Sequence, residues 1–251
     1  MSKRTKLGLI GRNISYSFSQ GYFSKKFEKE GITELNYRNY DLPEVDEFPF
    51  ITYHREEEFL GFNVTIPYKQ SIKKYLQRIS PEAEEIGAVN TIKVTEDHQL
   101  VGYNTDAYGF ENSLKPLLED QHKKALILGT GGASKAVAFV LKKLGIVYIY
   151  VSRTASEGML AYEDLTEELI QDHNLIINCT PLGTHPNVTD CPDIPYGAIT
   201  DKHLLYDLIY NPAVTQFLQN GLDQGAKIKN GLQMLELQAE KSWEIWNYKP
   251  E

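Results

Sequence analysis

Gly129, Gly131 and Gly132, with Ser134 close behind, have the types and spacing that suit holding a phosphate. They follow a short apolar run, Ala125 to Leu128, with the length and composition of a buried parallel strand. After them, small and apolar residues recur at helical spacing: Ala133, Ala136, Val137, Val140, Leu141 and Leu144. Gly145 falls where a helix-ending glycine belongs. Strand, glycine turn and helix open a dinucleotide-binding unit. The glycines let the backbone turn tightly and approach a pyrophosphate, which rests on the amides of the helix N-terminus. Ser134 replaces the third glycine of G-x-G-x-x-G and is small enough to keep helix and strand close. On this stretch alone, a tight turn without a nucleotide is the competing reading.

The next strand, Val147 to Val151, says which dinucleotide to expect. An NAD site usually ends this strand in Asp or Glu, about 20 residues past the glycines, to bind the ribose 2′-hydroxyl. Here it ends in Ser152, Arg153 and Thr154, with no acid. A guanidinium and two hydroxyls suit a 2′-phosphate, and so NADP. The competing reading of Arg153 is an exposed arginine at a strand end.

The elements that must position these residues fit a soluble globular chain. Its 251 residues are enough for one large or two small domains. Hydrophobic residues make up 41% and charged residues 24%, ordinary values that call for no special class. A formal net charge of −8 argues against nucleic acid as a main partner. Cys179 and Cys191 fit a reducing compartment and match no zinc spacing. The apolar run Leu7 to Ile10 is too short for a signal peptide or membrane span, so a cytoplasmic protein is expected.

In chain order, Leu7 to Ile10 reads as a first strand, followed by a hydroxyl-rich loop to Gln20 and a helix ending at Gly31. Asn36 to Leu42 reads as a strand, and Pro43 to Leu60 as irregular with one short helix. Gly61 onward is a strand running into a helix over Tyr68 to Arg78, with Pro67 in its first turn. Ala88 to Val94 and Gln99 to Tyr103 form a hairpin. Asn104-Thr-Asp106 starts a helix over Ala107 to Leu118. Beyond the glycine turn come strands ending at Asn178 and Ile209, a helix through Asn220, a short strand over Lys227 to Asn230, and a last helix over Gly231 to Trp246. Strands and helices alternate on both sides of residue 105. The fold class expected is α/β with two α/β domains, each built on a mostly parallel sheet. Residues 1–104 with 232–251 would form one, and residues 105–231 the other, Rossmann-type domain.

Several motifs, taken in order, resemble the shikimate dehydrogenase family over nearly the whole chain. They are Ser15-Tyr-Ser-Phe-Ser19, Asn63-Val-Thr-Ile-Pro-Tyr-Lys69, Gly87-Ala-Val-Asn-Thr91 and Gly102-Tyr-Asn-Thr-Asp106. Gly129-Thr-Gly-Gly-Ala-Ser134, Asn178-Cys-Thr-Pro-Leu-Gly183, Tyr206-Asp-Leu-Ile-Tyr-Asn-Pro212 and Asn230-Gly-Leu-Gln-Met-Leu-Glu-Leu-Gln238 complete the set. Any one could arise by chance; eight in order argue for the family.

The resemblance implies that the first domain binds shikimate and the second binds NADP, with hydride moving between nicotinamide C4 and the carbon bearing the 3-hydroxyl. It makes Lys69 and Asp106 the catalytic pair, since oxidising a secondary alcohol needs a group to take the hydroxyl proton. Read singly, Lys69 is a solvated lysine and Asp106 a helix N-cap. Ser17 and Ser19 match carboxylate-binding serines; read singly, one of them caps the following helix. Asn63, Thr65, Asn90, Tyr210 and Gln238 match other substrate-binding positions. Gly129, Thr130, Gly131, Gly132, Ala133, Ser134, Ser152, Arg153, Thr154, Thr180 and Gly231 match the cofactor site. No metal is implied, and the chain is expected to work on shikimate or 3-dehydroshikimate as a monomer or homodimer.

Two places depart from the family. Tyr16 and Gln20 stand where it usually has His and Pro. The interval after Thr154 is short, so a helix, with or without a strand, is expected to be abbreviated to Ala155–Gly158. The nearest rival is a quinate/shikimate dehydrogenase with broader substrate and cofactor use. A non-catalytic relative keeping the fold should have lost Lys69 or Asp106, and neither is lost.

Overall fold

The computed structural model describes residues 5–15, 17–53, 58–154 and 156–247. The chain divides into two compact units, one running to Thr105 and rejoined at Ala239, the other spanning Asp106–Gln238.

The first begins with β1 (Thr5–Gly11), α1 (Phe18–Glu30) and β2 (Leu35–Asp41), the strands parallel. Then come α2 (Phe48–Tyr53), β3 (Phe59–Val64), β4 (Arg78–Ile79) and α3 (Pro81–Ile86). β5 (Thr91–Val94) and β6 (Leu100–Tyr103) form the expected hairpin. The sheet runs β2-β1-β3-β5-β6-β4. It is mixed: β1 is parallel to β2 and β3 and β4 to β6, while β5 is antiparallel to both neighbours.

Alternation along β1 and β3 sends side chains to two cores. Leu7 and Leu9 pack with Phe23, Phe27, Tyr37 and Trp246, whereas Ile10, Phe62 and Val64 pack with Phe48, Tyr68, Ile72 and Ile92. Trp246 is 2% exposed, and its indole N–H donates to the Ile92 carbonyl at 3.0 Å, so its polar edge is satisfied as its ring is buried.

α4 (Thr105–Leu114) leads to β7 (Lys124–Leu128), α5 (Gly132–Lys143), β8 (Val147–Ser152) and β9 (Met159–Ala161). α6 (Glu167–Asp172), β10 (Leu175–Asn178), β11 (Leu204–Asp207), α7 (Gln216–Asp223), β12 (Lys227–Lys229) and α8 (Leu232–Asn247) follow. The second sheet is wholly parallel, in the order β12-β11-β10-β7-β8-β9. This doubly wound order reverses direction between β7 and β10. The carboxyl ends of strands at such a point are where α/β sheets receive ligands. Ala125 to Leu128 and Leu175 to Ile177 have no exposed surface, as strands covered on both faces should not.

Three expectations are corrected. No α-helix spans Tyr68 to Arg78; turns, one 3₁₀ segment (Ser71–Tyr75) and β4 stand there. The Lys69 carbonyl accepts from the Val89 amide at 2.7 Å, so it is taken out of a helical ladder. The helix after Asn104 starts at Thr105 and ends at Leu114, passing into a 3₁₀ turn (Lys115–Leu117) that contains Pro116. Finally, β9 stands after the short interval that follows Thr154, pairing in parallel with β8 from Tyr150 to Ser152, and the described residues between the two strands form no helix. Ala155 and Tyr16 lie outside the described residues.

Candidate active site

Lys69 is half-buried on the turn after β3. Its backbone is pinned from several sides. Besides the Val89 contact, the Tyr68 amide donates to the Thr65 carbonyl at 2.9 Å, and the Tyr68 hydroxyl donates to the Leu42 and Pro43 carbonyls at 2.6 and 2.8 Å. Thr65 is held by its own amide on the Ile10 carbonyl at 2.9 Å. The turn that carries Lys69 is therefore a fixed platform.

Beside it in the same unit lies a buried polar network. Asn63, on β3, is 4% exposed. Its oxygen accepts from the Tyr37 hydroxyl at 2.8 Å, and its NH₂ donates to Thr91 at 3.2 Å and Ser242 at 3.0 Å. The hydroxyls of Thr91, Thr105 and Ser242 lie 2.8 to 3.2 Å from one another. Asn90 closes the network: its oxygen accepts from the Thr105 amide at 2.7 Å, and its NH₂ donates to the Thr105 hydroxyl at 3.1 Å. Asn90 thus caps α4 from a distant loop, satisfying an orphan amide of the helix start. Tyr37 is 4% exposed; burial pushes its hydroxyl above the usual phenol range, opposed by a hydrogen bond with Ser19.

Ser17 is the N-cap of α1, accepting from the Ser19 amide at 3.2 Å. An accepting hydroxyl still has its proton to donate. Ser19 is 9% exposed.

Asp106 belongs to the other unit and is 7% exposed. It lies in the first turn of α4, not at its cap, because the helix already begins at Thr105. A carboxylate there meets the positive end of the helix dipole. Tyr210 is half-buried beyond β11, and Gln238, on α8, is 7% exposed with its NH₂ donating to the Leu235 carbonyl at 3.0 Å.

The glycine turn follows β7, one of the two strands at the reversal point. Gly129 has φ 99°, in the left-handed region, and its amide donates to the Val151 carbonyl at 2.8 Å. Gly131 is the N-cap of α5 and offers no side chain to the first-turn amides. A Cβ on Gly131 would have no atom within 4 Å, so the approach to those amides is open. Thr130, Gly132 and Ala133 complete the turn. Ser134 is 1% exposed and donates from its hydroxyl to the Gly131 carbonyl at 2.7 Å, which closes the turn from beneath. An open approach to the start of α5 fits a pyrophosphate.

Thr180, in the loop after β10, reaches the same turn: its methyl is 3.0 Å from where a Gly129 Cβ would stand. Ser152 ends β8 with its hydroxyl donating to the Thr154 carbonyl at 2.7 Å, which curls the chain and leaves Arg153 and Thr154 exposed. Gly231 stands before α8 with its amide on the Ile209 carbonyl at 3.0 Å. The second unit therefore brings the glycine turn and Thr180 together at the reversal point.

Sequence reasoning misses Tyr37, Thr91, Thr105 and Ser242. Ser242 carries a visible signal, a hydroxyl between Ala239 and Trp246 on an otherwise apolar helix face. Among the described residues, no group of three or more His, Cys, Asp or Glu could hold a metal ion, and no helix is long and apolar enough to cross a membrane.

Residues 9–92 match the family model for the shikimate dehydrogenase substrate binding domain. A shikimate dehydrogenase (NADP(+)) of Methanococcus maripaludis is 38% identical, over 98% of this chain and 92% of the relative. A solved shikimate 5-dehydrogenase of Thermus thermophilus, in complex with NADP(H) and shikimate, is 30% identical with a TM-score of 0.85, over 98% of this chain and 95% of that one. Another from Listeria monocytogenes, in complex with shikimate and NAD, is 27% identical with a TM-score of 0.86, over 99% and 93% of the two chains.

Proposed function

Because the chain belongs to the shikimate dehydrogenase family, we propose that it catalyses the reversible NADPH-dependent reduction of 3-dehydroshikimate to shikimate, a step towards chorismate and the aromatic amino acids. The observation that carries this reading is 38% identity along 98% of the chain to a relative named for that activity. Bound NADP supplies or accepts the hydride. The residues of this chain do the rest. Lys69 takes the proton of the substrate 3-hydroxyl as the bond to hydrogen breaks, and returns it in the reductive direction. Asp106 accepts from that hydroxyl and holds it in place. Ser17 and Ser19 donate to the substrate carboxylate, while Thr65, Asn90, Tyr210 and Gln238 satisfy its remaining polar groups. Asn63, whose amide is engaged inward, supports this set by ordering Thr91 and Ser242.

The glycine turn, with Thr130, Ala133, Ser134, Thr180 and Gly231, holds the dinucleotide, and Ser152, Arg153 and Thr154 hold its 2′-phosphate. The enzyme works in the cytoplasm as a monomer or homodimer, without nucleic acid or membrane partners; the formal net charge of −8 supports the former exclusion. Shikimate deuterated at C3 tests the reaction itself. The label is expected to appear at C4 of the reduced nicotinamide. Cofactor reduction without label would contradict the proposed bond.

Two further results are expected. Ser17→Ala and Ser19→Ala each raise KM for shikimate by about 5–100-fold, the effect of removing one donor to a buried carboxylate. Ser17→Ala alone also destabilises α1, by about 1 kcal/mol, because it removes the cap. Unchanged KM in both variants would move the carboxylate elsewhere. Arg153→Ala raises KM for NADP by about tenfold, the loss of one charge-assisted contact, and leaves KM for NAD nearly unchanged. Equal weakening of both cofactors would remove Arg153 from the 2′-phosphate.

A further inference from the structure

Asp207 ends β11 and has no exposed surface. A carboxylate so placed is costly unless its oxygens are paired. Oδ1 accepts from the Asn178 side chain at 3.1 Å and from the Ile209 amide at 3.0 Å. Oδ2 accepts from the Thr215 hydroxyl at 2.6 Å. Burial raises its pKa to about 6, with Thr215, Ile209 and Asn178 working in the opposite direction. All three partners donate to it, so both oxygens of Asp207 act as acceptors.

That property decides how its neighbour is turned. Asn178 ends β10 opposite Asp207 in the parallel register and is also fully buried. An amide has a donor end and an acceptor end, and a carboxylate can take only the donor. With its NH₂ on Asp207, the Asn178 oxygen faces the next loop. There it accepts from the Thr180 amide at 2.9 Å and the Thr180 hydroxyl at 2.7 Å. A flipped amide would set acceptor against acceptor at Asp207 and donor against donor at the Thr180 amide. Thr180, so fixed, packs its methyl against Gly129. The Thr180 hydroxyl also accepts from the Leu182 amide at 3.3 Å, so the turn beyond it is tied to the same centre.

We propose that Asp207 is a positioning residue for the dinucleotide: by orienting Asn178 it fixes Thr180 against the glycine turn, and so sets cofactor affinity without touching the cofactor. This rests on the reading of the glycine turn as the NADP site. It assigns a task to a buried charge that the proposed hydride and proton steps do not use. The alternative is a purely architectural role, tying β11 to the start of α7 through Thr215, whose hydroxyl also caps that helix.

The test is NADP affinity by titration calorimetry, alongside kinetics and thermal unfolding. Asp207→Ala is expected to raise Kd for NADP by about 10–100-fold, as buried donors lose their acceptor, with KM for shikimate unchanged. Asn178→Asp should weaken NADP similarly by setting two carboxylates face to face. Adding Asp207→Asn to it exchanges the partners: the amide now on β11 donates to the carboxylate now on β10, which still accepts from Thr180, while the Ile209 amide loses its acceptor. The exchanged pair is expected to bind NADP more tightly than Asn178→Asp alone by about fivefold or more, about 1 kcal/mol. A lower melting temperature for Asp207→Ala with unchanged Kd would overturn the proposal in favour of the architectural role. If Asp207→Ala does not fold, failure of the exchanged pair to recover affinity would overturn it equally. Wild type that binds NAD but not NADP would contradict the cofactor reading alone, and the same comparison is then made with NAD. Wild type that binds neither would contradict both.

Discussion

Lys69→Ala lowers kcat by about 10²–10⁴, the usual contribution of a positioned acid–base group, while KM for shikimate changes by much less. The reason lies in the platform under the side chain. The turn is held by the Val89 amide on the Lys69 carbonyl and by the Tyr68 hydroxyl on two carbonyls. None of these bonds uses the lysine side chain, so truncation removes the ammonium and leaves the backbone in place. In the proposed site, Ser17, Ser19, Thr65 and Asn90 are unaltered by the substitution. A fall in kcat with little change in KM marks an interaction made in the transition state. Near-normal kcat in Lys69→Ala would transfer the proton step to another group. Loss of rate through unfolding would show in the melting temperature, which is expected to move little.

Gly231→Ala has the largest expected effect on stability. A Cβ there would lie 2.1 Å from the Leu208 carbonyl oxygen and 2.6 Å from its carbon. Both are backbone atoms, so no flexible side chain can swing aside. The Leu208 amide is itself tied to the Asn178 carbonyl at 3.0 Å, and the Gly231 amide to the Ile209 carbonyl at 3.0 Å. Either the start of α8 or the end of β11 must move. Overpacking of this kind costs roughly 1–3 kcal/mol, and the upper end is expected where backbone is displaced. For a chain of this size that lowers the melting temperature by roughly 6–12 °C. KM for NADP should rise with it, because the end of β11 bears Asp207. An unchanged melting temperature would mean that the two backbone segments separate freely.

These predictions draw on features that the sequence exposes unequally. The glycine turn is legible because strand, turn and helix are adjacent in the chain and each has a local cause. The apolar run becomes a strand covered on both faces, and Gly129 takes a φ that other residues avoid. The segment after Pro67 is misread from sequence because its fate is decided from outside: the Val89 amide claims the Lys69 carbonyl from 20 residues away. α3 goes unread although its signals are present. Ser80 caps it through the Ala83 amide, Pro81 occupies its first turn and Gly87 closes it. The absence of a helix after Thr154 is legible as a short interval, but β9 is not, since a three-residue edge strand has no pattern of its own. Least legible are the long-range polar links. Nothing in the chain announces that Asn90 caps α4, or that Asp207 turns the amide of Asn178; both depend on strands that meet only in the fold.

The most direct measurement is the initial rate of nicotinamide reduction with shikimate and with quinate, each paired with NADP and with NAD. The highest kcat/KM is expected for shikimate with NADP, a lower value when NAD replaces it, and a lower value again when quinate replaces shikimate. Equal use of quinate, or of NAD, would contradict the proposed specificity and favour a quinate/shikimate dehydrogenase. No turnover in any of the four combinations would contradict the dehydrogenase itself.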